Sequence, residues 1–234
     1  MNTRTTLQPL VADELDLLAA LVPLQGARVI ELGCGAAKLA RALLQRFPTA
    51  TLTGLEVDER QHAKNLAAPQ ERLSFVAGGA QAIPAPDASF DLALMLKSLH
   101  HVPLPQMAQA LGEVARVLVP GGRLYVSEPV YAGDLNEIIR LFHDEGTVRA
   151  AAQRALDQAL AGGPWRQEAE RRFSMPVRFA DFAEFERQVI GVTFADHRLD
   201  AALLARVRAA FESHLEPQGA FFLRPMHVRL LQRT

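Results

Sequence analysis

The chain has 234 residues, 49% of them apolar and 22% charged, which is enough for one sizeable core with a small appendage and too little for two full domains. Lys and Arg number 25 against 26 Asp and Glu, and that balance excludes the one-signed field of a dedicated nucleic-acid or anionic-membrane binder. Cys34 is the sole cysteine, so no intrachain disulfide can form. No apolar run approaches the ~20 residues of a membrane span, and residues 1–10 lack a leader-like pattern, so a cytoplasmic protein without membrane insertion is expected.

Leu7, Leu10, Val11, Leu15, Leu18 and Leu21 recur at helical spacing and predict an opening amphipathic helix that ends near Pro23. Arg28 to Leu32 is an apolar run that breaks into Gly33-Cys34-Gly35, the mark of a buried parallel strand. An Ala- and Leu-rich helix over Ala36 to Phe47 follows, stopped by Pro48. Three further strands are predicted at Thr51–Glu56, Leu73–Ala77 and Phe90–Leu96, with helices over Glu59–Leu66 and Pro105–Leu118. Pro120-Gly121-Gly122 reads as a turn into a fifth strand, Arg123 to Ser127. From Tyr131 to Pro176 the alternation lapses. Leu135, Ile138, Ile139 and Phe142 predict one helix and Val148–Leu160 another, before a break at Gly162-Gly163-Pro164. Residues 131–176 are therefore expected to form a helical insertion or lid within a single domain of residues 1–234. Alternation then returns, with a strand predicted over Gln188–Ala195, a helix over Asp200–His214 and a last strand over Ala220–Gln232. Short β-α-β crossovers demand a mostly parallel sheet with helices on both faces, an α/β fold of Rossmann-like type.

The chemistry concentrates where the strands end, because ligands of open α/β sheets bind outside the carboxyl ends near the reversal of strand order. Gly33 and Gly35 allow the backbone to approach a ligand without Cβ interference, and Glu56 ends the second strand where a carboxylate can accept ribose hydroxyl protons. A dinucleotide enzyme would place a third glycine where Lys38 stands, and its pyrophosphate would be repelled by Glu31. An acidic residue before the glycines suits a ligand that carries an ammonium group, such as S-adenosylmethionine.

The run Val29-Ile-Glu-Leu-Gly-Cys-Gly35 resembles the first motif of the class I S-adenosylmethionine-dependent methyltransferases, most of all the group similar to ubiquinone and menaquinone biosynthesis methyltransferases. Further motifs follow in that family's order: Thr53-Gly-Leu-Glu-Val57, Gly78-Gly-Ala-Gln-Ala-Ile-Pro84, Ser89-Phe-Asp91, Leu99-His-His-Val-Pro103 and Leu118-Val-Pro-Gly-Gly-Arg-Leu124. The likeness covers roughly residues 27 to 130. It implies a seven-stranded, mostly parallel sheet with an antiparallel last strand, and S-adenosyl-L-methionine as cofactor. It also implies that Gly33, Cys34 and Gly35 pass beneath the methionine part, with Glu31 near the ammonium and Lys97 lining the methionyl end. Glu56 would hold the ribose, Val57 would pack on the adenine, and Gly79, Ala80 and Gln81 would border the adenine edge. Two positions depart from the family pattern: Ala37 stands where glycine is common, and Gly79 where aspartate often accepts the adenine amino proton, so that contact passes to Gln81, a backbone carbonyl or water.

Transfer from a sulfonium asks mainly that the acceptor be held in line, with a base only where a proton must leave. His100 and His101, after the fourth strand, are the candidates for that role. Glu128 and Tyr131 could face the acceptor. Phe142, Trp165 and Phe173 are read as core ahead of an aromatic pocket, His143 as a packing or solvent-facing residue, and Cys34 as a loop residue and no nucleophile. The resulting expectation is methyl transfer to a small-molecule acceptor, with no nucleic-acid partner and no resident metal. A non-catalytic cofactor-binding module and a nicotinamide oxidoreductase stand as alternatives.

Overall fold

The computed structural model describes residues 8–192 and 197–234. In chain order the elements are α1 (Glu14–Leu21), β1 (Arg28–Leu32), α2 (Lys38–Arg46), β2 (Thr51–Glu56), α3 (Glu59–Leu66), β3 (Leu73–Ala77) and β4 (Phe90–Leu96). They continue with α4 (Met107–Val117), β5 (Leu118–Pro129), α5 (Asp134–Ile139), α6 (Gly146–Gly162), β6 (Trp165–Phe179), α7 (Phe182–Phe185), α8 (Ala201–Glu212), β7 (Leu215–Glu216) and β8 (Gly219–Arg233). The sheet runs in the order β3-β2-β1-β4-β5-β8-β6, with the two-residue β7 pairing antiparallel to β8 off that path. Strands β1 to β5 pair in parallel, and the last strands enter antiparallel, as the resemblance implies.

The chain divides into two compact units whose boundaries fall within β5, β6 and β8. One comprises residues 14–128, 146–170 and 228–234. Here β1 pairs with β2 on one side and β4 on the other, so the strand order reverses at the mouth between β1 and β4. One face of its sheet presents Ile30, Leu32, Leu55, Ala93, Met95, Leu124 and Val126 to α4 and α6. Side-chain alternation sends Glu31, Leu94, Tyr125 and Ser127 to the other face. Arg28 ties the start of β1 to that of β4, its backbone N–H and its guanidinium both donating to Asp91 at 2.8–3.1 Å.

The described residues of the other unit are 8–13, 129–145, 171–192 and 197–227. Its core is centred on phenylalanine: Phe179, Phe182, Phe185, Phe211 and Phe222 pack at centroid distances of 5.0–6.2 Å, with Leu135, Ile138, Val207 and Ala220. Asp200 caps α8 through the Leu203 N–H.

Three expectations need correcting. The opening helix begins only at Glu14, because Leu10 pairs with Ser174 as a bridge and the Pro9 carbonyl accepts the Ser174 N–H. The stretch from Gln188 is no strand: Asp181 accepts from Glu184 N while Glu184 accepts from Ala180 N, a reciprocal cap that starts α7 and a π-helical turn over Glu186–Ile190. Residues 193–195 of that expected strand lie outside the described residues. The place in the sheet is taken instead by β6, which begins inside the span set aside as an insertion. Of that span, α5 belongs to the second unit and α6 to the first, where Ala152, Ala155 and Leu156 are buried on the sheet.

Candidate active site

The turn after β1 is held from three sides. Gly33 N and Cys34 N both donate to Leu55 O at 2.9 and 3.0 Å, while Asn65, buried on α3, donates to Gly35 O at 2.7 Å. Gly33 has φ +70°, and a Cβ there would lie 2.9 Å from Ser98 Cβ, so the turn is pressed onto the end of β4. Gly35 also has positive φ, but a Cβ there would meet nothing within 4 Å. Its backbone therefore borders open space, which is what a ligand-carrying turn requires. Ala37 adopts φ +53° at the start of α2, a left-handed conformation in which glycine would be more at ease.

Glu56 is buried and closes the turn: its Oε2 accepts Gly35 N at 2.7 Å, and its Oε1 accepts Val57 N and Asp58 N at 3.0 and 2.9 Å. A carboxylate offers about four acceptor directions. Three are in use, which leaves one open, on Oε2.

Glu31 is 4% exposed and its Oε2 has no hydrogen-bond partner. Burial pushes its carboxyl up to about 8, opposed by the charge of Lys97 and a hydrogen bond from the Ala40 backbone. Lys97 Nζ sits 3.6 Å from Glu14 Oε2, and Tyr125 OH donates to Glu14 Oε1 at 3.3 Å. Burial, then the nearby Glu31 and Glu56 charges, push the Cys34 thiol up to about 12, which removes it as a nucleophile.

Beside this cluster Val57 is 66% exposed, a large apolar side chain standing next to a buried carboxylate. Ala80 is buried, and a Cβ on Gly79 would lie 2.4 to 2.8 Å from the Gln81 carboxamide. Gln81 thus occupies the space that an aspartate at Gly79 would need. The loop is clamped from α4, a contact no motif announces: Arg116 donates to Ile83 O, Ala85 O and Asp87, and Glu113 accepts Ile83 N at 3.0 Å.

After β4 a single 3₁₀ turn carries Leu99, His100 and His101. His100 is 3% exposed, and its Nδ1 is hydrogen-bonded to Glu128 Oε2. Glu128 Oε1 accepts Leu99 N at 2.9 Å, so one buried carboxylate fixes both the turn and the ring. His101 is exposed, its ring 4.1 Å from that of His100. Spacing alone puts the two histidines on equal terms; burial separates them. Of the remaining candidates, Trp165 is buried against the α6 side of the first unit. In the second unit, Phe142 packs on the phenylalanine core and Tyr131 OH donates to Asp144 at 2.8 Å. Phe173 is also buried, and His143 Nε2 lies 3.0 Å from Glu145 Oε1.

These residues fit S-adenosylmethionine better than a dinucleotide. The turn carries two buried carboxyl groups, Glu56 accepting three backbone N–H groups and Glu31 with an oxygen that lacks a partner; a donor such as an ammonium suits that oxygen, and a pyrophosphate offers none. Fold and site together define a Rossmann-like domain built for a cationic nucleoside cofactor. A family model described as "Methyltransferase domain" matches residues 29–122. The ubiquinone/menaquinone biosynthesis C-methyltransferase of Methylobacterium nodulans is 30% identical over 194 residues, 78% of this chain and 73% of that protein. The fatty-acid O-methyltransferase of Mycolicibacterium smegmatis is 36% identical over 152 residues, 62% of this chain and 52% of that protein. Among solved structures, the YcgJ protein of Bacillus subtilis superposes with a TM-score of 0.65 at 17% identity, covering 94% of this chain and 97% of that one, a likeness of fold. The chain belongs to the class I S-adenosylmethionine-dependent methyltransferases. It spans about half the length of several of the curated relatives it matches.

Proposed function

We propose that the protein transfers a methyl group from S-adenosyl-L-methionine to the oxygen or carbon of a small-molecule acceptor. The observation that carries this reading is the Glu31–Gly35–Glu56 cradle, a turn backed by two buried carboxyl groups with open space above Gly35. The names of the relatives, a fatty-acid O-methyltransferase and a quinone C-methyltransferase among them, support the acceptor class. Both units belong to one methyltransferase domain in this proposal, since β5, β6 and β8 each run from one into the other.

When bound, the cofactor supplies a sulfonium that is already an activated methyl donor. Gly33, Cys34 and Gly35 would hold its methionine part, Glu56 Oε2 would accept a ribose hydroxyl, and Val57 would pack on the adenine. Ala80 and Gln81 would border the adenine edge, with the Gln81 carboxamide standing in for the aspartate that Gly79 lacks. His101, the exposed member of the pair, receives the acceptor proton where one must leave. His100, locked by Glu128, lies against its ring and positions it. An exposed imidazole is accessible to an acceptor, whereas a 3% exposed one serves to position.

The test is a methyl-transfer screen over small phenols, carboxylic acids and quinols, with His101→Ala and Glu128→Gln beside the parent protein. The proposal expects turnover to fall about 10²-fold in His101→Ala with S-adenosylhomocysteine affinity unchanged. Full retained activity would remove His101 from the mechanism.

A further inference from the structure

Between Ala77 and Phe90 the chain forms neither helix nor strand, and Pro84 and Pro86 lack the N–H groups that a backbone ladder would need. Side chains of α4 hold this loop instead. That helix buries Met107, Ala110, Leu111 and Val114 in the core, while Gln109, Glu113 and Arg116, at i, i+4 and i+7, form a second stripe. Gln109 Nε2 donates to Gln81 O at 2.9 Å, and Glu113 Oε2 accepts Ile83 N at 3.0 Å. The five N–H groups of Arg116 meet Ile83 O, Ala85 O, Asp87 Oδ1 and both carboxylate oxygens of Glu113, at 2.8–2.9 Å. Every second residue from 81 to 87 is thus reached from one face of one helix.

Stability is not what this clamp supplies. The Arg116 side chain is 31% exposed and that of Asp87 77%, and exposed ion pairs add little to folding. The clamp fixes position. Gly79 to Gln81 open the loop, and the Gln81 carboxamide lies over Gly79, its Oε1 2.4 Å from where a Cβ would stand. A long, flexible side chain can place one oxygen against a ligand only where its own backbone is held, and Gln109 holds Gln81 at its carbonyl. We propose that Gln109, Glu113 and Arg116 are positioning residues for the nucleobase: they set the loop so that Gln81 accepts the 6-amino group of the cofactor, and with it the preference for adenine over a purine that lacks this group. The role rests on S-adenosylmethionine as the cofactor. None of the three residues lies within the motifs that carry the family resemblance.

Two ligands separate this role from a merely structural one: S-adenosylhomocysteine and its 6-desamino analogue, in which purine replaces adenine. Calorimetric titration of the parent protein, Gln81→Met, Gln109→Met and Arg116→Lys with both ligands is the experiment. The parent protein should bind S-adenosylhomocysteine about tenfold more tightly than the analogue, the scale of one hydrogen bond. Gln81→Met should abolish that preference. Gln109→Met and Arg116→Lys should cut it to about twofold while leaving affinity for the analogue within about twofold of the parent. Lysine keeps a positive charge beside Glu113 but not the planar five-donor fork, so a clamp that acted only as an ion pair would survive Arg116→Lys. A parent protein without the preference, Gln109→Met and Arg116→Lys proteins that keep it in full, or equal losses for the two ligands would overturn the assignment while leaving the cofactor class standing. Failure of the parent protein to bind S-adenosylhomocysteine would overturn the cofactor reading and this role with it.

Discussion

The side chains that hold the turn after β1 and the phenylalanine cluster of the second unit are both buried, and they are held by opposite physics. Around the turn, buried Glu31, Glu56 and Asn65 meet backbone groups, and the left-handed residues Ala37 and Lys97 flank them. Around Phe211 there are rings and aliphatic side chains, with α7 and α8 begun by aspartate caps. Burying carboxylates and holding non-glycine residues at positive φ both oppose folding. Ring packing favours it. The first region is where the molecule prepares to bind; the second supplies stability.

The contrast can be broken at either end. Phe211→Ala should have the largest effect on stability, about 3–5 kcal/mol, because the ring is fully buried at the centre of the cluster. Denaturant unfolding should show that loss. S-Adenosylhomocysteine affinity at protein-saturating folded conditions should not change.

Glu31 should contribute the next largest effect, through pH. Its carboxyl, buried and facing Lys97, Glu14, Glu56 and Cys34, is raised from 4.5 in the ordinary state to about 8. The folded protein therefore holds this proton more tightly than the unfolded chain does. The resulting stability is complete below about 4.5, is lost progressively as pH rises, and is gone above about 8. A shift of this size corresponds to on the order of a few kcal/mol. Unfolding of Glu31→Gln across pH 5–9 should lack this part of the slope, and a parallel profile for the two proteins would refute the assignment. Ligand binding adds a complementary sign: an ammonium favours ionised Glu31, so S-adenosylhomocysteine affinity should rise from pH 6.5 toward 8.5.

Glu56→Ala removes the acceptor of three backbone N–H groups as well as a ribose contact. About 2 kcal/mol of stability and a roughly 100-fold loss of S-adenosylhomocysteine affinity are expected. Gly79→Asp should displace the Gln81 carboxamide, the free end of a flexible side chain, and leave S-adenosylhomocysteine affinity within about 1 kcal/mol of the parent as the new carboxylate takes over its contact. Smallest, and opposite in sign, Ala37→Gly should raise stability by up to about 1 kcal/mol, since φ +53° is strained for alanine. A loss there would show that the Ala37 methyl group, fully buried, packs well enough to offset the strain.

The same division governs what was legible without coordinates. The β1 turn, Glu56 and the strands through β4 announce themselves because glycines and apolar runs obey strong local rules. Strand β6 does not: its buried residues Trp165, Phe173 and Phe179 are separated by a charge-rich stretch that hides the alternation. The run from Gln188 is apolar enough for a strand, but the cap set by Asp181 and Glu184 decides it the other way. Within the site, Glu14, Asn65 and Arg116 act across long sequence separations, and nothing in their local sequence marks them. The partner of His100 is of the same kind, since Glu128 is 28 residues away. Motifs mark the backbone that touches a cofactor; the side chains that hold that backbone in place come from wherever the fold brings them.

The most direct test of the central claim, a cradle selective for a cationic nucleoside amino acid, is calorimetric titration at pH 8 with S-adenosylhomocysteine and with NADH. Micromolar binding of S-adenosylhomocysteine and none of NADH is the predicted result. Binding of NADH alone, or of neither ligand, would contradict the account.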